Sequence, residues 1–294
     1  MSSSKKGLIT LKGFTADHEA EIHLAESGEA DRGVLWQQLV SGTYDKPFMV
    51  DDGGNRVMCF TIDGSIQSEM NVADPDALVS DYTRKMMAFL LFCPRPQHVL
   101  MLGLGGGSLA KFCHRHLPRT SVSVVEINPA VIALRRHFHV PPDDERLRVV
   151  QGDGAEFVAG MAGDGRRADA LLVDAYDRRG IASSMCDPQF LENARKILSV
   201  DGVFVMNLAL YESRRDGYLR LLRSVFGEPV IAVDVGWGGN TVAFAGPALR
   251  SRRRLAAAPN YARWAQAKLD LKFTKLPGLV RKYLRNTAPT ERSM

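Results

Sequence analysis

The chain has 294 residues, 45% of them hydrophobic, enough for one large domain or one domain with a small appendage. No apolar run approaches the roughly 20 residues of a membrane-spanning helix, and the opening MSSSKKGLITLKG lacks the apolar stretch of a secretory signal. The formal charge of +5 is uneven: residues 250–294 hold 12 Lys and Arg against Asp270 and Glu291, so this tail carries +10 and the rest −5.

An acidic body suits a cationic ligand. Cys59, Cys93, Cys113 and Cys186 form no CxxC pair, which reads as a cytoplasmic protein with reduced thiols.

Residues 1–66 read as short strands and turns, with GLITLKG, EAEIHLAE, PFMV and NRVMCFTIDG as the apolar runs. Asp51-Asp52-Gly53-Gly54 supplies hairpin residues between the last two. The spacing predicts a small antiparallel β-rich domain over residues 1–70. Residues 76–92 are apolar-periodic without Gly or Pro, predicting a helix that Pro94 and Pro96 stop.

Strands and helices then alternate. Strands are predicted at 99–102, 121–125, 147–150, 168–173 and 203–207, with helices at 111–116, after Asn128-Pro129, and at 155–161 and 188–198. A helix at 216–226 and strands at 229–235 and 241–245 complete an α/β, Rossmann-like doubly wound, mostly parallel sheet over residues 71–249. Residues 250–294 form a basic C-terminal tail, predicted helical over 261–285 with a break at Pro277-Gly278.

Four predicted strands end in a glycine turn or a carboxylate. VLMLGLGGGS places Gly103, Gly105, Gly106 and Gly107 after the first strand. Glu126, Asp153-Gly154 and the Asp174/Asp177 pair follow the next three. Ligands of open parallel sheets bind outside the carboxyl ends of the strands, so this register describes one nucleoside-binding edge.

The glycine turn permits close backbone approach, although Ser108 replaces the last glycine of a dinucleotide fingerprint. Glu126 follows Gly103 at the separation expected for a carboxylate holding ribose hydroxyls, the plainer reading being a strand-end cap. Asp153 is suited to an adenine amino group or to a turn. Asp174 and Asp177 are suited to a cation or to taking a proton from an amine.

Metal binding is not expected: Cys113-His114-Arg115-His116 and His137-Phe138-His139 put their side chains on different helix faces. Ser108 lacks a nucleophile elbow, and Met86-Met87-Ala88-Phe89-Leu90 reads as core. The basic tail carries no nucleic-acid reading motif, and its aromatics suit packing on the body.

In order, these motifs resemble the spermidine synthase-like family of polyamine aminopropyltransferases over about residues 42–245. IDGSIQSEM resembles the family's LDGxxQ segment, VVEIN its VEID, GDG its DDG, DAYD its DSSDP, and FVMN its next strand. The resemblance implies a class I methyltransferase-like core behind a β-rich domain, and transfer of an aminopropyl group from decarboxylated S-adenosylmethionine to a diamine such as putrescine.

Carried over, Glu126 binds ribose, Asp153 adenine, and Asp174 is the base, with Asp177 holding the cationic amine. Gln67 and Tyr82 border the sulfonium substituent and the amine, and Trp237 corresponds to a late aromatic of the amine channel. A homodimer or homotetramer, no metal, no membrane and no nucleic acid are implied with it.

Three positions depart from the pattern. Gly106 stands where the family's glycine loop carries an acid, Thr83 and Arg84 stand where His and Glu follow the tyrosine, and DSSDP is Asp174-Ala175-Tyr176-Asp177-Arg178. Arginine 84 or 178 beside the sulfonium would favour the carboxylate of S-adenosylmethionine itself. Methyl transfer to another acceptor, or nucleoside binding without turnover, are therefore the alternative expectations.

Overall fold

The computed structural model describes residues 6–14, 19–62, 66–177, 180–209, 215–227, 229–236, 239–273, 276–278 and 280. Its first part is an antiparallel meander of β1 (Lys6–Phe14), β2 (Glu19–Ser27), β3 (Phe48–Asp52), β4 (Asn55–Cys59) and β5 (Ser68–Asn71), in that spatial order. Asp52 pairs with Asn55 across a two-residue turn, where Gly53 and Gly54 take φ of 57° and 90°. Those left-handed values suit the twist of the flanking strands.

A helix the sequence reading missed, α1 (Arg32–Val40), lies between β2 and β3. Asp31 caps it by accepting from the Gly33 and Val34 N–H groups, while Leu35 and Leu39 are buried. Val34, Trp36 and Val40 are exposed, so its apolar residues run round the helix and show no 3.6-residue stripe.

The second part opens with α2 (Asp81–Met86), which tightens into a 3-10 helix over Met87–Leu91. The helix predicted from residue 76 therefore starts five residues later. Ala77 N–H closes a turn on Asp74 O, and the Arg84 guanidinium takes the carbonyls of Leu78 and Val79. The carbonyls of Leu78 and Val79 are thus satisfied by a side chain rather than by helix.

Then follow β6 (His98–Leu102), α3 (Ser108–His116), β7 (Ser121–Glu126), α4 (Pro129–Leu134), β8 (Leu147–Gln151), α5 (Gly154–Gly163) and β9 (Ala168–Val173). A short pair, β10 (Tyr176–Asp177) and β11 (Gly180–Ile181), precedes α6 (Pro188–Ile197), β12 (Leu198–Ala209), α7 (Arg215–Phe226), β13 (Ile231–Val235) and β14 (Asn240–Ala245).

The seven-stranded sheet runs β13-β14-β12-β9-β6-β7-β8, and β14 alone in it is antiparallel to its neighbours. The central strands are buried on both faces, as a doubly wound sheet requires. Val99, Met101, Ala170, Leu172, Val203 and Val205 face one core. The alternate residues Leu100, Leu102, Leu171, Val173, Phe204 and Met206 face the other.

The predicted turn at Asp201-Gly202 is instead an irregularity inside β12, where the register with β9 shifts between Leu198 and Val203.

The tail helix, α8 (Arg252–Leu269), begins nine residues before the predicted start and includes Pro259. Ser251 accepts from Arg254 N–H as its cap. Leu255, Ala258, Ala265, Leu271 and Phe273 join the core that holds Met87–Leu91. Arg254 also donates to Phe92 O at 3.0 Å and pairs with Asp201 at 2.6 Å. Residues 281–294 lie outside the described residues.

A guanidinium helps to tie the meander to the second part. Arg56 grips both oxygens of Asp51 at 2.6 Å and donates to His137 O at 2.9 Å. Met49, Met58 and Met70 share the core of the second part. No helix among the described residues is long and apolar enough to cross a membrane.

Strand order reverses at β6, with β7 on one side and β9 on the other, so a crevice opens at their carboxyl ends. Two glycines separate the demands of that edge from ordinary helix propensity. A Cβ on Gly103, at φ 93°, would lie 2.2 Å from Asp174 O, whereas one on exposed Gly160 in α5 would meet nothing within 4 Å. Gly103→Ala should cost about 3 kcal/mol or more, and Gly160→Ala should add about 0.5–1 kcal/mol. Urea unfolding of both variants checks the opposite signs.

Candidate active site

Backbone hydrogen bonds extend the strand ladder into the loops and fix the crevice floor. Gly103 N–H donates to Val125 O at 2.8 Å, Asp174 N–H to Leu102 O at 2.9 Å, and Gly152 N–H to Glu126 O at 3.0 Å. Gly107, at φ 69°, turns the chain into α3. The cavity above this floor has a volume of 1030 Å³.

Gln67, Tyr82, Gly103, Gly105, Glu126, Asp153, Gly154 and Asp174 all line it. Gly106 and Gly107 do not, and the side chain of Asp177 lies outside the described residues. Trp237, Arg178 and Arg179 also lie outside them.

Glu126 is buried, with Oε2 accepting from Leu104 N–H and Oε1 from Asn128 N–H, both at 2.8 Å. It thus clamps the glycine turn onto the end of β7. This is the plainer strand-end role, and it also presents a fixed carboxylate to the cavity. Asp153 caps α5: Oδ1 accepts from Ala155 N–H at 2.7 Å and from Glu156 N–H at 3.1 Å. Oδ2 has no hydrogen-bond partner among the described residues.

Asp174 is the centre of a polar network. Its Oδ1 accepts from Asn207 Nδ2 at 2.8 Å, and the Tyr82 hydroxyl donates to the same carboxylate. Asn240 Nδ2 donates to Asn207 Oδ1 at 2.9 Å, and Tyr176 OH donates to Asn207 O at 2.8 Å. Burial pushes the Asp174 carboxyl above the usual range, against the lowering effect of the Asn207 and Tyr82 bonds. Burial, then the neighbouring Asp174 charge, pushes the Tyr82 phenol well above its ordinary value.

Asn207, Asn240 and Tyr176 are the site residues that sequence reasoning missed. The signal was present for Asn207, a polar residue ending the very apolar strand VFVMN, in the same register as Glu126 and Asp174.

The electrostatics of the lining are one-sided. Asp45, Glu69, Asp81, Glu126, Asp153 and Asp174 line the cavity, with no Lys, Arg or His among the described residues there. Arg84, expected beside a ligand carboxylate, is not in the lining. Its guanidinium is held by the Leu78 and Val79 carbonyls and by Asp81. That expectation is corrected for Arg84.

The acid missing at Gly106 has no space to return: a Cβ there would lie 2.7 Å from both Phe138 Cδ1 and Ser68 Oγ. Lys111 is buried behind this packing, donates to Phe138 O at 2.7 Å, and is lowered by burial to about 8.

Away from the crevice, Glu21, His23 and Asp51 bring possible ligand atoms within 4.8 Å of one another. Arg56 already neutralises Asp51 there, which opposes a cation. His114 pairs with Asp144, and His116 packs on Phe112.

Residues 79–214 match the family model of the spermine/spermidine synthase domain. A polyamine aminopropyltransferase of Chromobacterium violaceum is 38% identical over 182 residues, covering 62% of this chain and 69% of the relative. An eEF1A lysine and N-terminal methyltransferase of Xenopus laevis is 32% identical over 162 residues, covering 50% of this chain and 23% of that protein. A spermidine synthase solved with the transition-state analogue AdoDATO superposes with a TM-score of 0.60 at 18% identity, covering 81% of this chain and 82% of that one.

A carboxyl group raised by burial destabilises the fold in its charged form. The folded state binds the proton more tightly than the unfolded one, so stability falls as pH rises from the unfolded value near 4 through the folded one. Asp174→Asn should therefore raise the melting temperature by a few degrees at pH 7–8 and lose that gain near pH 4. Calorimetric scans of both proteins across that range check the sign.

Proposed function

Because the chain belongs to the spermidine synthase family of polyamine aminopropyltransferases, we propose that it transfers an aminopropyl group from decarboxylated S-adenosylmethionine to a diamine such as putrescine. The observation that carries this reading is the lining of six carboxylates with no described cation. Decarboxylated S-adenosylmethionine carries a sulfonium and an ammonium and no carboxylate, and a diamine adds further positive charge. The cavity volume of 1030 Å³ suits a nucleoside and a second small molecule together.

The sulfonium supplies the leaving group. The amine nitrogen forms a bond to the aminopropyl carbon as the carbon–sulfur bond breaks. Its electron pair stays on sulfur, giving a neutral thioether, and the amine releases one proton. Two tasks remain for the protein: positioning the reactants, and holding the amine unprotonated.

Glu126 offers a fixed carboxylate for ribose hydroxyls and Asp153 Oδ2 an acceptor for the adenine amino group. Gln67 borders the sulfonium substituent, and the backbone at Gly103, Gly105 and Gly154 borders the nucleoside. Asp174 takes the proton, with Tyr82 and Asn207 orienting it. We assign Asp177 to the distal ammonium. Gly106 and Gly107 shape the turn from behind the cavity wall. The cytoplasm suits the free thiols of Cys59, Cys93 and Cys113, and a homodimer or homotetramer belongs with the same family reading.

A second reading, methyl transfer from S-adenosylmethionine, is favoured by one observation: Phe138 and Ser68 fill the place of the acid that would hold the aminopropyl nitrogen. The likeness to the eEF1A methyltransferase of Xenopus laevis fits it.

Titration calorimetry separates the two. Aminopropyl transfer calls for the decarboxylated sulfonium to bind about tenfold or more tightly than S-adenosylmethionine, the scale of one unscreened charge contact. The reverse preference would give the chain to methyl transfer. Asp174→Asn should lower kcat about 10²–10⁴-fold while leaving methylthioadenosine affinity within a few-fold. Full turnover in that variant would remove Asp174 from the mechanism.

A further inference from the structure

The carboxylate at the cavity floor is held by neutral donors alone among the described residues, and their orientation is set from one strand further away. Asn207 is 3% exposed, and its amide has two jobs at once. Nδ2 donates to Asp174 Oδ1 at 2.8 Å, and Oδ1 accepts from Asn240 Nδ2 at 2.9 Å. An ionised carboxylate only accepts, so it requires the N–H₂ end of Asn207. The opposite polarity, with both amides turned over, would aim Asn207 Oδ1 at Asp174 and would suit only the protonated acid. Two neighbouring amides in series therefore have two self-consistent directions, and the one present matches a carboxylate waiting for a proton.

Strand geometry makes this arrangement possible. Asn207 is near the carboxyl end of β12, while Asn240 is the first residue of β14. β14 runs antiparallel to β12, so its beginning lies at the edge where the parallel strands finish. Tyr176 OH, donating to Asn207 O at 2.8 Å, fixes the backbone from β10.

We propose that Asn240 is a positioning residue for the base: through Asn207 it aims an N–H donor at Asp174 and keeps that carboxylate ionised in a cavity free of described cations. The reaction role of Asp174 rests on the function proposed above, but the positioning itself does not. The Tyr82 hydroxyl from α2 donates to the same carboxylate, Tyr176 from β10 is within electrostatic reach of that phenol, and Asp45, Glu69, Asp81, Glu126 and Asp153 line the same cavity. An ionised cavity acid cannot replace the lost donor if Asn207 turns over. Neutral donors hold a charge without the large loss of basicity that a guanidinium would impose.

The test reads Asp174 directly and needs no turnover. Full-length protein carrying ¹³Cγ-aspartate is titrated by NMR, with Asp174→Asn assigning the resonance. Asn240→Ala, which is neutral, should move the midpoint of Asp174 upward by about one unit, the tenfold change in proton affinity expected for one lost hydrogen bond to a charged group. Asn240→Asp keeps the size of the side chain but can only accept in its ionised form, so it forces the reversed polarity and should move the midpoint further. The acid limb of the kcat profile should shift by the same amount in each variant, with KM for the sulfonium substrate unchanged.

An unmoved midpoint in Asn240→Ala would overturn the proposal, as would activity falling equally at all pH values. A moved midpoint with full activity in Asp174→Asn would instead keep the positioning role and overturn the assignment of Asp174 as base.

Discussion

The close approach of two strand ends governs the rest of this molecule. Gly103, the residue after β6, lies directly against the carbonyl of Asp174, the residue after β9, closer than any side chain would allow. That contact lets the ladder continue past the strands, through Asp174 N–H to Leu102 O and Gly103 N–H to Val125 O. The carboxylates at the strand ends therefore inherit the rigidity of a sheet whose central strands are buried on both faces. Their positions depend on backbone geometry, and the side chains around them are left free for chemistry.

Concentrating negative charge in a crevice is costly, and the chain offsets that cost with dipoles. Glu126 takes two backbone N–H groups, Asp153 takes the second and third of α5, and Asp174 takes an amide and a phenol. No described arginine lines the cavity, and three are employed elsewhere: Arg84 holds a loop, Arg56 joins the meander to the second part and Arg254 fastens α8. Fixed dipoles thus hold Glu126, Asp153 and Asp174 and leave the field at these three negative, so a cation entering the cavity supplies the missing countercharge.

Much of this was legible in the residues. Alternating apolar runs and strand-end acids placed Glu126, Asp153 and Asp174 on one edge, because a parallel sheet puts all its carboxyl ends together. The helix over Arg32–Val40 was not legible, since Val34 and Trp36 interrupt its stripe and the packing of Leu35 and Leu39 decides it. The late start of α2 follows from Arg84 reaching back to carbonyls, a side-chain choice that periodicity does not encode. Asn240 was invisible for a topological reason: it begins a strand, and only the antiparallel insertion of β14 brings a strand's beginning to the edge.

The packing at Gly106 also sets how this wall can be changed. Phe138 and Ser68 occupy the volume an acid would need, and Lys111 holds the Phe138 backbone from behind. A single substitution that restored an acid to the loop would meet both groups at once. It would be disfavoured unless Phe138 and Ser68 also changed. Mutual dependence of this kind makes the wall a multi-residue unit: an acid at this position requires coordinated substitutions, whereas the other walls of the cavity can be altered one residue at a time.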